Sequence, residues 1–452
     1  MIENIAEGFA AKRTAARSGK RPNLVFVLAD DLGYADVGGY GVRTSFTPNL
    51  DRLAAEGLRF TDGYANSPVC SPTRFALMTG RYQYRLRGAA EEPIGGAARG
   101  CAQLGLPSSH PTLPSLLRAA GYHTALIGKW HLGYLPHFSP LASGYAEFFG
   151  PLGGGVDYFS HADRAGVHDL YDGDDEVRRS GYLTDLISDR ACEVIRRQSH
   201  APFMLSVHYT APHWPWETRG DEAESRRIGN RILHVDGGSV DTYRTMIRHM
   251  DEGIGRILDA LEAASVTDDT LVVFTSDNGG ERFSDTWPFV GRKMDLLEGG
   301  IRVPLIARWP RAIAADTVTA QVAITMDWVA TMLDAARVAP HQDHPLDGMS
   351  LLPTFAEPSR AIPRNLFWRM KHRGQRAARS GDWKYLLQDG FEFLFDLAHD
   401  HRERANLAAR EPRRLADLRE HYLRWAAEMP GVPDEAKVSL AYVPGDLASP
   451  TQ

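Results

Sequence analysis

Five short apolar runs, separated by amphipathic stretches, constrain the fold of this chain more than any other feature. The runs are continuously apolar rather than alternating, as expected for strands that are buried on both faces. They occupy residues 24–29, 123–128, 203–209, 270–276 and 303–309. Apolar residues recur three and four positions apart, as in amphipathic helices, at residues 47–57, 112–121, 183–198 and 242–264. This alternation predicts an α/β fold with helices on both faces of a large sheet.

The pattern changes after a proline-punctuated segment at residues 340–363. Short runs at residues 366–370, 377–387 and 391–397, followed by a helical pattern near 411–428, predict a small antiparallel sheet with one helix. The predicted parts are an N-terminal arm at 1–21, a large domain at 22–345, a small C-terminal subdomain at 346–430 and a tail at 431–452.

Charge and cysteine content exclude several classes of protein. The 51 basic and 57 acidic residues give a net charge of −6, which argues against nucleic acid or an anionic membrane as the main partner. No apolar run approaches the roughly 18 residues of a membrane span, and no apolar segment follows the basic residues near the N-terminus, so we expect a cytoplasmic protein. Three cysteines without a CxxC pair predict neither a disulfide framework nor a zinc site.

Acidic and amide side chains directly follow two of the predicted strands. Asp30 and Asp31 come after the first strand, and Asp277 and Asn278 after the fourth. Because ligands collect beyond the carboxyl ends of strands in an open α/β sheet, these residues predict an all-oxygen site for a hard cation, Ca²⁺ or Mg²⁺. Either pair alone is better interpreted as turn formers and helix N-caps. Because both pairs occur at equivalent strand ends, the interpretation as a metal site is favoured over that as turn formers.

Basic side chains follow the second and third predicted strands at the same predicted edge. Lys129 and His131 leave the second strand, and His213 follows the third in a loop with prolines on both sides. A lysine, imidazoles and a metal at one edge would suit an anionic ester, because the cations offset its charge and a histidine moves a proton. Taken singly, a lysine or histidine in such a loop is more commonly a solvent-exposed surface residue.

Cys70 precedes a predicted helix that begins near Ser71 and places Arg74 one turn later. A cysteine at a helix N-terminus beside an arginine is expected to have a lowered pKa and to serve as a thiolate nucleophile. The alternative is a small buried core residue.

The segment CSPTR at residues 70–74 resembles the C-x-P-x-R signature of the type I sulfatases, and GYHTALIGKWH at 121–131 is similar to their second signature. Further blocks, including TAPHWP, TSDNGG and EGGIRVP, follow in the family's order over residues 22–340. The resemblance implies an alkaline-phosphatase-like fold, with a large mixed sheet and a smaller C-terminal domain. It also implies a hydrolase of sulfate monoesters, here of the arylsulfatase type.

The resemblance also implies roles for the predicted site residues. Cys70 would be oxidised by a formylglycine-generating enzyme to formylglycine, whose hydrate attacks the sulfur and forms a covalent sulfo-enzyme. The implied ligands of one Ca²⁺, with Mg²⁺ or Mn²⁺ less favoured, are residue 70, Asp30, Asp31, Asp277 and Asn278.

The remaining roles concern charge and protons. Arg74 and Lys129 would orient the hydrate, His213 and Lys293 would contact the sulfate and protonate the leaving oxygen, and His131 would take the proton that triggers elimination. The Lys293 role rests on its spacing from the EGGIRVP block, and the adjacent Arg292 is its competitor.

Two other functions remain open at this point: a phosphonate monoester or phosphodiester hydrolase, and a noncatalytic anion-binding protein with Cys70 unmodified. The expected partners are a small sulfate ester and the maturing enzyme, with a homo-oligomer also open. Specificity is expected to lie between the family blocks, at residues 82–106, 153–179, 214–241, 281–289 and 369–376. Within or near these segments, the candidates for stacking on a substrate ring are Tyr158, His208, Trp214, Trp216 and Trp287.

Overall fold

The first apolar run forms the middle of a ten-stranded mixed sheet. The computed structural model describes residues 20–41, 46–439, 442–443 and 445–447. Its strands are β1 (Asn23–Ala29), β2 (Leu58–Phe60), β3 (Gly63–Tyr64), β4 (His123–Gly128), β5 (Glu147–Gly150), β6 (Tyr171–Asp172), β7 (Asp175–Glu176), β8 (Phe203–His208), β9 (Thr270–Ser276), β10 (Leu305–Arg308), β11 (Thr317–Thr319), β12 (Ala323–Ile324), β13 (Asn365–Arg369), β14 (Arg376–Ser380), β15 (Trp383–Gln388) and β16 (Phe391–Asp396). The order across the large sheet is β11-β2-β10-β9-β1-β8-β4-β5-β6-β7.

All five predicted strands belong to this sheet. The central strands β9, β1, β8, β4 and β5 run parallel, so their carboxyl ends meet at one edge. The fifth predicted strand, β10, pairs antiparallel with β9, which makes the sheet mixed. Short outer strands such as β2 and β11 were not predicted, because three residues carry too little periodicity to be recognised.

Helices cover both faces of the sheet, as predicted. They are α1 (Pro48–Ala55), α2 (Cys70–Thr79), α3 (Leu113–Ala119), α4 (Leu183–Gln198), α5 (Glu222–Ile228), α6 (Val240–Ala263), α7 (Glu298–Ile301), α8 (Asp327–Ala336), α9 (Leu352–Ala356) and α10 (Pro412–Ala427). Alternate residues of β1 enter two separate cores: Val25 packs in the core that contains α4 and α6, and Phe26 in the core that contains Trp328 of α8. Burial on both faces explains why β1 is apolar at nearly every position.

The C-terminal part forms a four-stranded antiparallel sheet, β13-β14-β15-β16, with α10 packed against it. The predicted run 377–387 is divided into β14 and β15 because Gly381, at a φ of 56°, turns the chain between them. Lys384 of β15 is fully buried and lies 2.9 Å from both Glu298 of α7 and Glu403. This ion cluster joins the small sheet to the large domain.

Only residues 20 and 21 of the predicted arm fall within the described part of the chain. The described part of the predicted tail packs on both the subdomain and the large domain. Lys371 Nζ of the subdomain donates to the carbonyl of Ala436 at 2.8 Å, and Glu92 of the large domain forms an isolated β-bridge with Val438. Within the described ranges, no helix has the length and apolar character to cross a bilayer.

Candidate active site

The parallel register of β1 and β9 brings the two predicted acidic pairs together. Ala29 pairs with Ser276, and the Asp277 amide donates to the Ala29 carbonyl at 3.1 Å, so Asp30 and Asp277 leave adjacent strands side by side. One carboxylate oxygen from each of Asp30, Asp31 and Asp277 lies within 4.8 Å of the others. The strand-end cluster is defined here as Asp30, Asp31, Asp277 and Asn278, and all four side chains are buried.

Two oxygens of the strand-end cluster have no internal hydrogen-bond partner. Asp30 Oδ1 and Asn278 Oδ1 are buried, and neither accepts a hydrogen bond within the described residues. Asn278 instead donates from Nδ2 to Asp31 Oδ1 at 2.7 Å, which aims its own oxygen elsewhere. Because buried polar atoms in native proteins are nearly always satisfied, these oxygens fit a bound cation. The oxygen-only donor set of the cluster fits a hard ion such as Ca²⁺.

Each carboxylate of the cluster has a different buried cation as its nearest ion-pair partner. Lys129 contacts Asp30, Lys293 Nζ lies 2.6 Å from Asp31 Oδ2, and Arg74 donates from Nη2 to Asp277 Oδ2 at 2.8 Å. We call Arg74, Lys129 and Lys293 the strand-end cations. Three cations and three carboxylates sum to zero charge, so a bound divalent ion would leave the site positive and suited to an anionic ester.

The pKa values of the carboxylates follow from this arrangement. Burial raises the pKa of Asp31, but the charge of Lys293 and the hydrogen bonds from Lys293 and Asn278 outweigh it and lower the pKa to about 2. For Asp277, burial and the charge of Asp30 raise the pKa to about 7 despite the opposing charge of Arg74. A divalent cation beside Asp277 would favour its ionised form.

Lys129 reaches the cluster because of the glycine that precedes it. Gly128 has a φ of 113°, and a Cβ atom there would lie 1.9 Å from the His208 carbonyl oxygen. The Lys129 amide donates to that carbonyl at 2.8 Å, so β4 and β8 stay in contact as the chain turns toward the carboxylates. A side chain at position 128 would separate these two backbones.

Cys70 is the first residue of α2 and is 1% exposed, at the inner end of a cavity. Its Sγ lies within 4.8 Å of ligand atoms of Asp30 and His213. The expected lowering of its pKa is wrong: burial raises the pKa of the thiol to about 12, although the charges of Lys129 and Lys293 oppose this. The sequence shows the helix N-terminus and the arginine, but not the depth of burial.

The two predicted site histidines are both uncharged at neutral pH. Burial and Lys129 hold the pKa of His131 well below its usual value, and burial and Lys293 lower that of His213 to about 3. His131 Nε2 lies 2.8 Å from the Ile94 carbonyl and therefore carries the proton, which leaves the unpartnered Nδ1 as a proton acceptor. His213 Nδ1 lies 2.7 Å from the Trp214 carbonyl, so its Nε2, 3.6 Å from Asp31, carries no proton.

These charge states bear on the predicted roles. His131 is in the state that accepts a proton, whereas neutral His213 cannot donate one from Nε2. Burial lowers the pKa of Lys293, but Asp31 and other nearby negative charges raise it well above its usual value, so this lysine remains protonated. Of the two predicted donors, Lys293 is the one that holds a transferable proton.

A cavity of about 670 Å³ leads from Cys70 to the surface. It draws residues from all five predicted specificity segments: Ile94 and Arg99, Gly153 and Arg164, Trp214 and Ile232, Glu281, and His372 and Arg373. Of the five stacking candidates, Trp214 lines the cavity and Trp287 is exposed, whereas Tyr158, His208 and Trp216 are buried in the protein.

Sequence reasoning did not place Ser439 and Tyr442 of the predicted tail at this cavity, which they line more than 300 residues after Cys70. No sequence signal marks them. Glu281 lies three residues after Asn278 and was included only as the start of a specificity segment. Its position beside TSDNGG was a usable signal.

Comparison with known proteins identifies the family. A sulfatase family model matches residues 22–338. Human (Homo sapiens) N-acetylgalactosamine-6-sulfatase is 34% identical over 377 residues, 77% of this chain and 68% of that protein. Arylsulfatase J of Mus musculus is 32% identical over 81% of this chain and 62% of that protein. The crystal structure of Ps i-CgsB in complex with k-i-k-neocarrahexaose has 29% identity and a TM-score of 0.81, covering 91% of this chain and 94% of that one.

These matches agree with the architecture and with the signature segments of the sequence. The large mixed sheet with a small C-terminal antiparallel sheet is the alkaline-phosphatase-like fold that the resemblance implied. The chain belongs to the sulfatase family and is a sulfuric ester hydrolase.

Proposed function

We propose that this sulfatase cleaves small sulfate monoesters with a formylglycine made from Cys70 and with Ca²⁺ held by the strand-end cluster. The observation that carries the proposal is the meeting of Cys70 with the cluster at the inner end of the cavity. The unpartnered oxygens of Asp30 and Asn278 support the metal. Bound there, Ca²⁺ would supply positive charge against the sulfate oxygens.

The state of Cys70 supports its modification. A thiol whose pKa is about 12 is almost entirely protonated at neutral pH and is a poor nucleophile. A hydrated aldehyde at this position would supply one hydroxyl for attack on sulfur and a second whose proton can leave afterwards. Because Cys70 is 1% exposed, we infer that the formylglycine-generating enzyme acts before the chain has folded.

The surrounding side chains divide the remaining work. Arg74 and Lys129, both buried and already fixed by carboxylates, hold positive charge beside residue 70 without reorganisation. Lys293 donates a proton to the departing oxygen, and His131 accepts one at Nδ1. Neutral His213 can only accept a hydrogen bond at Nε2, for example from a group of the substrate, and so would not take the donor role that the resemblance implied.

The modification is tested by intact mass spectrometry and hydrazide labelling of the purified protein. We expect formylglycine at position 70, and folded but inactive Cys70→Ala. Cys192, a buried cysteine of α4 in the core, provides the matched control, because Cys192→Ala is expected to retain both label and turnover. Full activity of Cys70→Ala, or an ordinary thiol at position 70 in active protein, would refute the mechanism.

The metal and the ester are tested on the same preparation. Chelation is expected to abolish hydrolysis of 4-nitrophenyl sulfate, and Ca²⁺ is expected to restore it better than Mg²⁺. Asp30→Asn should weaken the response to Ca²⁺, because it replaces an unpartnered carboxylate oxygen in the cluster. Faster hydrolysis of a phenyl phosphonate monoester than of 4-nitrophenyl sulfate would contradict the preference for sulfate.

A further inference from the structure

Glu281 presents an unused hydrogen-bond acceptor at the wall of the active-site cavity. The side chain lines the cavity together with Lys293 and Tyr442. Its Oε2 atom is buried and accepts no hydrogen bond of good geometry within the described ranges of the chain, although the Tyr442 hydroxyl lies close enough to the carboxylate to oppose the rise in its pKa that burial causes. A buried carboxylate oxygen without a donor costs free energy, so its presence at a binding cavity calls for an explanation.

The loop that carries Glu281 is held in place on both sides. The Lys293 amide donates to the Gly280 carbonyl at 3.0 Å, and the Ser284 amide donates to the Glu281 carbonyl at 2.8 Å. The next residue, Arg282, lies over the Phe283 ring at 4.5 Å and donates to the His234 carbonyl at 3.1 Å. The acceptor is therefore preorganised, as residues that select substrates usually are.

The charges of Lys293 and Arg282 also act on Glu281 and oppose the rise in its pKa, but the strand-end cations do not need it as their ion-pair partner. Lys293 is hydrogen-bonded to Asp31 at 2.6 Å, and the strand-end cations already match the cluster carboxylates one to one. Asp295 offers a contrast on the same cavity wall, because its Oδ2 accepts from the Arg292 amide at 3.3 Å and its Oδ1 lies 3.6 Å from Arg373. Glu281 differs from Asp295 in leaving an oxygen open.

We propose that Glu281 is a specificity-determining residue that accepts a hydrogen bond from a hydroxyl or amide group on the alcohol part of the substrate. Burial raises the pKa of Glu281 to about 7 although the charge of Lys293 opposes this, so the carboxylate is ionised above neutral pH. In that form it can only accept hydrogen bonds, so it selects for groups that donate them. The favoured substrates are sulfate esters of polyhydroxylated or acylamino alcohols rather than of plain phenols. This inference rests on the proposed function, because it concerns the leaving group of the same site.

Substrate recognition is measured separately from catalysis by using a variant that binds the ester but cannot hydrolyse it. The probes are 4-nitrophenyl sulfate, whose phenol carries no donor, and a panel of glucose, galactose and N-acetylhexosamine monosulfates. Dissociation constants are measured by calorimetry in Ca²⁺ with Cys70→Ala, and with the same protein carrying Glu281→Ala, Glu281→Gln or the control Asp295→Asn. The measurement requires no catalysis. Absence of formylglycine or of sulfate release in the unmutated protein would therefore refute the proposed mechanism without affecting these dissociation constants.

We expect at least one sugar sulfate to bind Cys70→Ala more tightly than 4-nitrophenyl sulfate does. Glu281→Ala is expected to weaken that binding by about tenfold to a hundredfold, the usual worth of a hydrogen bond to a charged group. With Glu281→Gln, the dissociation constant for that sugar sulfate should lie between those of Cys70→Ala alone and of the Glu281→Ala variant. With Asp295→Asn, it should equal that of Cys70→Ala alone. The inference is overturned if no sugar sulfate is preferred, if Glu281→Ala weakens both kinds of probe equally, or if it weakens neither.

Discussion

Replacing Arg74 by methionine tests directly how much the buried Arg74–Asp277 ion pair contributes to stability and to catalysis. Arg74 is 1% exposed and donates to Asp277 Oδ2 from Nε at 3.1 Å and from Nη2 at 2.8 Å. It also donates from Nη1 to the Lys129 carbonyl at 3.0 Å, so one side chain joins α2 to the ends of β9 and β4. Methionine fills much of the same volume but removes both Arg74 donors from Asp277 Oδ2 and leaves the Lys129 carbonyl only the His208 ring, whose Nδ1 lies 3.2 Å away.

The expected cost is set by what Asp277 can do without its cation. Removing one partner of a buried ion pair usually costs about 3–5 kcal/mol. The pKa of Asp277 is already about 7 because of burial and Asp30, and loss of the Arg74 charge will raise it further. The carboxyl can therefore take up a proton at neutral pH, which places the expected loss near the lower limit, about 3 kcal/mol.

The same reasoning fixes the pH dependence of the Arg74→Met protein. A carboxyl whose folded-state pKa exceeds its unfolded value binds its proton more tightly when folded, so stability falls as pH rises between the two values. The Asp277 window extends from about 4 to above 7 once Arg74 is gone. In metal-free buffer, the loss relative to the parent should therefore be larger at pH 8 than at pH 6.

The assay is urea unfolding followed by tryptophan fluorescence, together with hydrolysis of 4-nitrophenyl sulfate. Arg74→Lys keeps the charge but not the forked geometry, and should lose about 1–2 kcal/mol of stability. Both variants should lose about a hundredfold or more in kcat/KM. In an Asp277→Asn background, Arg74→Met should cost much less, because no charge is left unpaired. A cost below 1 kcal/mol in the parent, or equal costs in both backgrounds, would refute the reasoning.

Three further predictions concern the general acid Lys293, the contact between β4 and β8 at Gly128, and the attachment of the C-terminal subdomain through Lys384. Lys293→Ala should reduce kcat for alkyl sulfates more than for 4-nitrophenyl sulfate, since nitrophenol leaves with little protonation. Arg292→Ala should lack this dependence on the leaving group, and the reverse pattern would assign the general acid to Arg292. Gly128→Ala should lower the free energy of urea unfolding by at least about 2 kcal/mol, since its φ of 113° and the nearby carbonyl exclude a side chain, and parental stability would contradict this. Lys384→Met should lose about 3–5 kcal/mol, because Glu298 and Glu403 stay buried without a cation; a scan showing no loss of thermal stability would disprove this coupling.

The sequence predicted the sheet and the meeting of the acidic pairs because both depend on local pattern and parallel register. Asp30 and Asp277 follow strands long enough to be recognised, and adjacent parallel strands end at one edge. The charge state of Cys70 was mispredicted because helix position is visible in a sequence but burial is not. The cavity walls were predicted only as segments, since the positions of Glu281 and Tyr442 depend on long-range packing.

The site divides positive charge between a part that the chain supplies and a part that an ion would supply. Each strand-end carboxylate already has a cation from a different loop or helix, Lys129, Lys293 or Arg74, so the fold does not need a metal to offset its buried carboxylates. A bound divalent ion then adds charge that is not cancelled and that a monoanionic ester can use. In the proposed mechanism, catalysis depends on this additional charge, whereas the stability of the metal-free fold depends on the ion pairs.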